Sequence, residues 1–337
     1  MKTPVCLKNF IFLQIVCCSV KLIIYMLEKW DAPEEIIVCL YDGKYHFGLA
    51  ALVNSLVRSN FKGLINTAYR DGLPPWVTQL KLIDNNAYYV TNDIIIHFEL
   101  VTTDIHFAFY KPYFIKQTAV NFPLTNKIFY FDVDIVIDAP WSFFSNWLED
   151  KVCLCLDDSY EYVHNNHPWR KDWKKLANME KTFFNPETAY VNSGFIGIMR
   201  ESIYLIDKWI ELTNKFKELG GSLEVIFQDG HNSYKGDQDL LNAAITVSPE
   251  IKLSLIGKEG MGFTQPAYLM THAVSKIKPW NKNYLSYLIK NGHKPSYSEK
   301  NFFNYCKYPI NVFSKFQFFR KKSNLFIASF FGRYIGY

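Results

Sequence analysis

Lys127-Ile128-Phe129-Tyr130-Phe131-Asp132-Val133-Asp134-Ile135-Val136 is the stretch on which the fold turns. Residues 127–131 mix aromatic and β-branched side chains, a composition suited to a pleated, buried strand. The run then ends on two carboxylates two residues apart. Bare anions at the end of a buried strand are costly. They need strong hydrogen bonds or a cation, and a divalent metal supplies neutralisation together with a chemical purpose. Mg2+ and Mn2+ prefer oxygen ligands and often share them with substrate phosphates. Two aspartates at this spacing also arise by chance in turns, so the motif gains meaning only from its company.

Upstream, residues 36–41 are an apolar run closed by Asp42-Gly43, a strand and its turn. Phe47, Leu49, Leu52 and Leu56 recur at helical spacing over 45–58. Residues 64–69 read as a strand, 74–82 as a helix, 93–100 as a strand and 107–120 as a helix. Downstream, 152–156 and 189–198 read as strands, and 201–219 as a helix closed by Gly220-Gly221. A helix starts at Asp237, and 268–273 is a last strand. This alternation predicts an α/β fold with a mainly parallel sheet covered by helices on both faces. Ligands of such sheets bind beyond the carboxyl ends of the strands.

The 337 residues, nearly half of them apolar (49%), suffice for one large core. The spacing predicts an apolar N-terminal segment over 1–33, one domain over 34–295 and a tail over 296–337. The net charge of +5 is unevenly spread. From Lys300 onward there are seven basic residues and no acidic ones, which leaves 30 basic against 32 acidic in the rest. A near-neutral body argues against nucleic acid as a partner. Seven cysteines without a regular framework read as free thiols in a reducing, cytoplasmic setting. The apolar run 10–26 is interrupted by Lys21 and is at the short end for a membrane span. A marginal anchor, an interfacial helix and a buried helix all fit it, the last two together outweighing a true span.

Three further segments carry polar chemistry. In His272-Ala273-Val274-Ser275-Lys276-Ile277-Lys278-Pro279-Trp280, an imidazole able to complete a metal shell precedes lysines able to hold diphosphate oxygens. Gly236-Asp237-Gln238-Asp239-Leu240-Leu241-Asn242 clusters acids and amides at a helix start, where Asp237 could equally be an N-cap. Tyr190-Val191-Asn192-Ser193-Gly194 sits in a β-rich run and suggests close backbone approach or a bulge.

Taken in order, these segments resemble glycosyltransferase family 8, the group of glycogenin and the bacterial lipopolysaccharide galactosyl- and glucosyltransferases, over residues 36–284. The resemblance implies a GT-A fold and a retaining hexosyl transfer from a UDP-sugar to a glycan or lipid-linked acceptor. It implies Mn2+ or Mg2+ on Asp132, Asp134 and His272, with Lys278 on the diphosphate. Tyr45 would lie against the base, with Leu40, Tyr41 and Asp42 lining its pocket. Lys111 would face the donor beside the Asp132-Val133-Asp134 turn. Asn192, Ser193, Asp237, Gln238 and Asp239 would surround the transferred sugar, with Gln238 and Asp239 nearest the reacting face. The family usually has Gly where this chain has Ser275, and the segment 157–189 is longer than the family's.

Two other functions compete. A haloacid-dehalogenase-type phosphatase would use Asp132 as nucleophile and Asp134 as acid, with Asp157-Asp158 as a later metal pair. The short separation of the two pairs, and the segments at 236–242 and 272–280, speak against it. A non-catalytic, membrane-bound nucleotide-sugar-binding protein is the other. In the tail, Phe313, Phe316, Phe318, Phe319, Phe326, Phe330 and Phe331 are interleaved with the basic residues. That pattern suits an anionic bilayer surface, ahead of packing on the domain, and predicts peripheral membrane association.

Overall fold

The computed structural model describes residues 33–84, 86–149, 151–179, 188–228 and 230–335. The apolar run 10–26 lies outside them. In chain order the elements are β1 (Glu35–Tyr41), α1 (His46–Arg58), β2 (Gly63–Tyr69), β3 (Lys81–Asp84), β4 (Ala87–Tyr89), β5 (Ile94–Leu100), α2 (Phe107–Asn121), β6 (Lys127–Phe131), β7 (Ile135–Ile137), α3 (Trp141–Trp147), β8 (Val152–Cys155), α4 (Pro168–Leu176), β9 (Phe195–Met199), α5 (Tyr204–Glu218), α6 (Asp237–Thr246), β10 (Leu253–Ile256), β11 (Met270–His272), α7 (Tyr284–Asn291), α8 (Tyr297–Phe302) and α9 (Lys315–Ile335).

Nine strands form one sheet in the order β10-β8-β9-β6-β1-β2-β5-β4-β3, and β7 pairs antiparallel with β11 as a separate ribbon. β6, β1, β2 and β5 run parallel, as do β10 and β8. β9 opposes both β6 and β8. The expected mainly parallel α/β sheet is therefore what the chain builds. β1 shows why it needs cover on both faces. Ile37, Cys39 and Tyr41 enter one apolar cluster with α1 and α3, while Ile36, Val38 and Leu40 enter another with α2, α5 and α6. Alternate side chains of a strand point to opposite faces, so a strand apolar at every position must be covered twice.

The antiparallel setting of β9 matters for the site. Because β1, β6 and β8 run the same way, their carboxyl ends lie on one edge, and the residues entering β9 arrive on that same edge. Adjacent strands are about 4.8 Å apart, so the ends of β1 and β8, three steps apart, are separated by about 14 Å.

Three local expectations are corrected. Residues 74–82 do not form an α-helix; Pro75–Gln79 is a short 3-10 turn followed by β3. Pro75 fits a first turn, and the chain leaves it at Leu80, whose backbone is extended. Residues 189–198 are not one strand; Ala189 and Val191 make isolated bridges and β9 begins at Phe195. Asp237 is not an N-cap, because Gly236 holds that position and the Asp237 side chain is engaged elsewhere.

The segment after residue 295 joins the body. Phe302, Phe303, Tyr305, Ile310, Val312 and Phe313 belong to the α1-side cluster. Asn54 of α1 donates to the carbonyls of Tyr305 (2.7 Å) and Ile310 (2.8 Å). α9 then packs on α7, where the Asn324 amide oxygen accepts from the N–H of Tyr284 at 2.8 Å. Among the described residues no helix is long and apolar enough to cross a membrane.

Candidate metal and diphosphate site

The turn after β6 is fixed by backbone before any side chain acts. The Asp132 N–H donates to Gly194 O (2.7 Å), Ile135 N–H to Asp132 O (3.0 Å), and Ala273 N–H to Asp134 O (3.0 Å). The turn is thus tied to the start of β9 and to the end of β11. α1 closes over it at Gly48, where a Cβ would stand 2.2 Å from Val133 O and 2.8 Å from the Trp280 ring. Only glycine fits there, so helix, turn and the Lys278-Pro279-Trp280 segment pack at backbone distance.

This scaffold brings Asp132, Asp134 and His272 together, with donor atoms within 4.8 Å of one another. His272 Nε2 is 3.1 Å from Asp134 Oδ1 and 4.0 Å from Asp132 Oδ2. The imidazole Nδ1 is buried and has no hydrogen-bond partner. Packing orients the ring along with the Asp134 contact: a Cβ on Gly194 would lie 2.6 Å from its Cε1, and the Phe263 ring lies tilted against it at 5.9 Å between centroids. The glycine read from sequence as a close backbone approach approaches this imidazole.

Two buried lysines balance the acids. Lys278 Nζ meets Asp134 Oδ2 at 2.5 Å and donates to Ala273 O at 2.8 Å. Burial pulls this ammonium down, but Asp134 outweighs it and raises the pKa. Burial would raise Asp134, yet His272 and Lys278 hold it well below the usual carboxylate range. Lys111 Nζ, one turn into α2, lies 3.0 Å from Asp132 Oδ1 and 2.9 Å from Asp237 Oδ2, with Ser193 O at 3.4 Å. Burial opposes its charge, and the two aspartates overcome that and raise it. An ammonium has three hydrogens, all claimed here. Lys111 lines the cleft with its ammonium engaged by Asp132, Asp237 and Ser193.

The segments at 192–193 and 237–239 meet beside this pair. Ser193 Oγ donates to Asp237 Oδ2 (2.7 Å), and its N–H reaches Gln238 Oε1 (3.3 Å). Asn192 donates to Asp157 Oδ2 (2.9 Å) and accepts from Gly194 N–H (2.9 Å). It braces the turn. Asp239 accepts from the Tyr190 hydroxyl (2.6 Å) and the Lys235 N–H (2.7 Å). Burial is the main reason its carboxyl is pushed up to about 6. Ser275 turns its hydroxyl to Ile277 O at 2.8 Å.

These acids and bases, with Ser193, open on one cleft of about 500 Å³, which Leu40, Tyr41, Asp42, Tyr45, Val133 and Gln238 also line. Tyr45 stands edge-on to Trp280 at 5.4 Å. Of the residues singled out in sequence for the donor site, Asn192 and Ser275 are set back from the lining. Sequence reasoning missed Tyr160, Trp169, Tyr190 and Phe227 as site residues, and all four line the cleft. The extra length between 157 and 189 was the only signal for Tyr160 and Trp169; Tyr190 opened a segment read as β-rich, and Phe227 had no signal. Asp157 lines the cleft but is not part of the cation-holding cluster found among the described residues.

No family model matches the chain, and no curated protein matches it. Among solved structures it is similar to the galactosyltransferase LgtC in complex with donor and acceptor sugar analogues, at 13% identity and a TM-score of 0.48, over 86% of this chain and 100% of that one. It is also similar to the glycosyltransferase GlyE of Streptococcus pneumoniae TIGR4, at 14% identity and a TM-score of 0.48, over 86% of this chain and 63% of that one. A third is a glycosyltransferase involved in glycosylation of the major capsid of PBCV-1, at 12% identity and a TM-score of 0.38, over 72% of this chain and 96% of that one. Likeness of this degree carries nothing for the chemistry, which rests on the side chains themselves.

Proposed function

We propose that the chain is a metal-dependent GT-A-type glycosyltransferase that moves a hexose from a UDP-sugar, with retention, to a glycan or lipid-linked acceptor. One observation carries the reading: His272, distant in sequence from Asp132 and Asp134, converges with them on one point beside Lys278. Asp132, Asp134 and Asp237 against Lys111 and Lys278 give this contact group a charge of 2 − 3 = −1. A divalent cation turns it to +1, which makes a diphosphate welcome where it would otherwise be repelled.

Two carboxylates and one imidazole suit Mn2+, and Mg2+ less well. Bound there, the ion would supply Lewis-acid stabilisation of the departing diphosphate. Tyr45, at the end of β1, is placed for the base, and Lys278 for a phosphate oxygen once it leaves Asp134. Asp237 and Gln238, fixed through Ser193 and Lys111, are placed for the sugar. Gln238 is a poor nucleophile, so the acceptor hydroxyl attacks the anomeric carbon on the face the diphosphate leaves. The bond from that carbon to the phosphate oxygen breaks, and the acceptor's proton passes to the departing diphosphate.

The tail supports a membrane-facing role. At 100° per residue, Phe316, Phe319, Phe326, Phe330, Phe331 and Tyr334 fall within an arc of roughly 140° on α9, and all are exposed. Leu325 and Ala328, on the opposite side, are buried. Lys315, Lys322 and Arg333 flank the aromatic arc, and no acidic residue follows Glu299. The helix thus packs on the body with one face and offers a basic-aromatic face outward, as an interfacial helix on an anionic bilayer does.

The test is a donor screen by mass spectrometry over UDP-glucose, UDP-galactose and their N-acetyl forms. Metal-dependent release of UDP from one of them is expected. Release of phosphate from simple phosphomonoesters instead would favour the phosphatase reading.

A further inference from the structure

His272 stands at the end of a ribbon too small to hold itself. β7 and β11 have three residues each, pairing Met270 with Ile137, Thr271 with Val136 and His272 with Ile135. The ribbon is separate from the main sheet. Two paired strands of that size are marginal alone. Yet this ribbon carries Asp134 just before one strand and the imidazole at the end of the other. β7 is braced by α1, where Ser55 Oγ accepts from the Ile137 N–H at 2.9 Å. The brace for β11 comes from α8.

The buried amide of Asn301 in α8 donates to Thr271 Oγ1 (2.9 Å) and to both Asp138 oxygens (2.8 Å each). Its nitrogen has two hydrogens. They serve Thr271 of β11 and Asp138, which directly follows β7, so one side chain grips both strands. Neighbouring side chains of a strand point to opposite faces. Asn301 therefore holds Thr271 on the face away from the imidazole. α8 is itself fixed: Ser296 and Glu299 form a capping box, and buried Glu299 meets Lys282 at 2.6 Å. The Lys282 N–H donates to Lys278 O at 3.1 Å. The helix thus holds the segment on either side of His272 and Lys278.

Resting on the metal reading of Asp132, Asp134 and His272, we propose that Asn301 is a positioning residue that sets His272 against the metal through Thr271. Asn301 lies outside the cleft lining and acts at one remove. Metal–ligand distances tolerate only about 0.2 Å, so a slight displacement of β11 is enough to loosen the imidazole. The Thr271 hydroxyl is the link. It is 1% exposed, and replacing it with a methyl leaves a buried N–H of Asn301 without its partner. The first part of the segment after residue 295 is in this way a component of the metal site.

The experiment uses the whole chain with Mn2+ alone. Electron paramagnetic resonance reads the affinity, and spin-echo modulation reads the coupling of the ion to the imidazole nitrogen. Wild type is expected to bind with a nitrogen signal. Thr271→Val and Asn301→Ala should each weaken binding about tenfold and diminish that signal, and the double variant should be no worse than Asn301→Ala. Thr271→Ser keeps the hydroxyl and loses the methyl packed at Gly262, and it should bind like wild type. A purely structural role for Thr271 would make serine, which leaves a cavity, the worse of the two. Should Asn301→Ala fail to fold, the two Thr271 variants decide alone. Wild-type affinity and signal in Thr271→Val, weakening by Thr271→Ser as large as by Thr271→Val, or further loss in the double variant would overturn this proposal alone. If wild type binds no Mn2+, or binds it without a nitrogen signal, the metal reading falls and this proposal with it.

Discussion

Substituting alanine at Gly194 tests whether the imidazole of His272 is held by packing. The added Cβ would sit 2.6 Å from His272 Cε1 and 3.0 Å from Nδ1. Carbon atoms rest at about 3.5–4.0 Å, so the ring must retreat by about 1 Å. Metal–ligand distances tolerate only about 0.2 Å. Nδ1 is unpartnered, and the contact of Nε2 with Asp134 Oδ1, at 3.1 Å, lengthens as the ring retreats. Mn2+ affinity should therefore fall about 10- to 100-fold, with a folding cost of about 1–3 kcal/mol. Asn192 Oδ1, at 2.9 Å from the same Cβ, must shift as well, so the effect has to be assigned. Mn2+ titration by electron paramagnetic resonance on Gly194→Ala, His272→Ala and the double variant does so. If the glycine acts through the imidazole, the double variant binds no worse than His272→Ala. Wild-type Mn2+ affinity in Gly194→Ala, or full additivity in the double variant, would refute the reasoning.

Asp134→Asn should cut sugar transfer at least 100-fold while circular dichroism still reports a folded chain; turnover like wild type would end the metal assignment. Asp239, raised to about 6 from 3.8, is neutral in both states below about pH 4. Between about 4 and 6 the unfolded chain ionises and the folded one keeps its proton, so stability is lost as pH rises through 6. That loss is roughly 3 kcal/mol (about 2.2 units at 1.36 each). Asp239→Asn should remove it, seen as a flatter melting-temperature profile between pH 4 and 7 than wild type's. Phe319→Ser with Phe326→Ser, both at 71% exposed positions, should reduce sedimentation with vesicles containing 30% phosphatidylserine and leave UDP binding alone; unchanged sedimentation would count against the interfacial helix.

Local pattern carried the parts of this fold whose environment is uniform. β1, β2, β5 and β6 are buried on both faces, and α5 has a full amphipathic stripe ending at Gly220, φ +90°. Pattern failed where tertiary contact overrides it. Residues 191–194 look like strand, yet Asn192 must reach Asp157 and Gly194 must admit His272, so the chain turns. Gly48 sits in an ordinary helix sequence, and only its contact with Val133 O shows why it is glycine. The acids and bases of the site were legible as types, because buried charges demand partners. Their pairing, above all Lys111 bridging Asp132 and Asp237, was not, since it joins elements with no relation in sequence. The tail's aromatics read as one class and divide into two: Phe313 and Phe318 pack against Phe303, and the others are left open.

Calorimetric titration of UDP with and without Mn2+, on wild type and on His272→Ala, tests the central claim most directly. Binding to wild type that requires Mn2+ and weakens at least tenfold in the variant is expected. UDP binding of equal strength with and without the ion would contradict it.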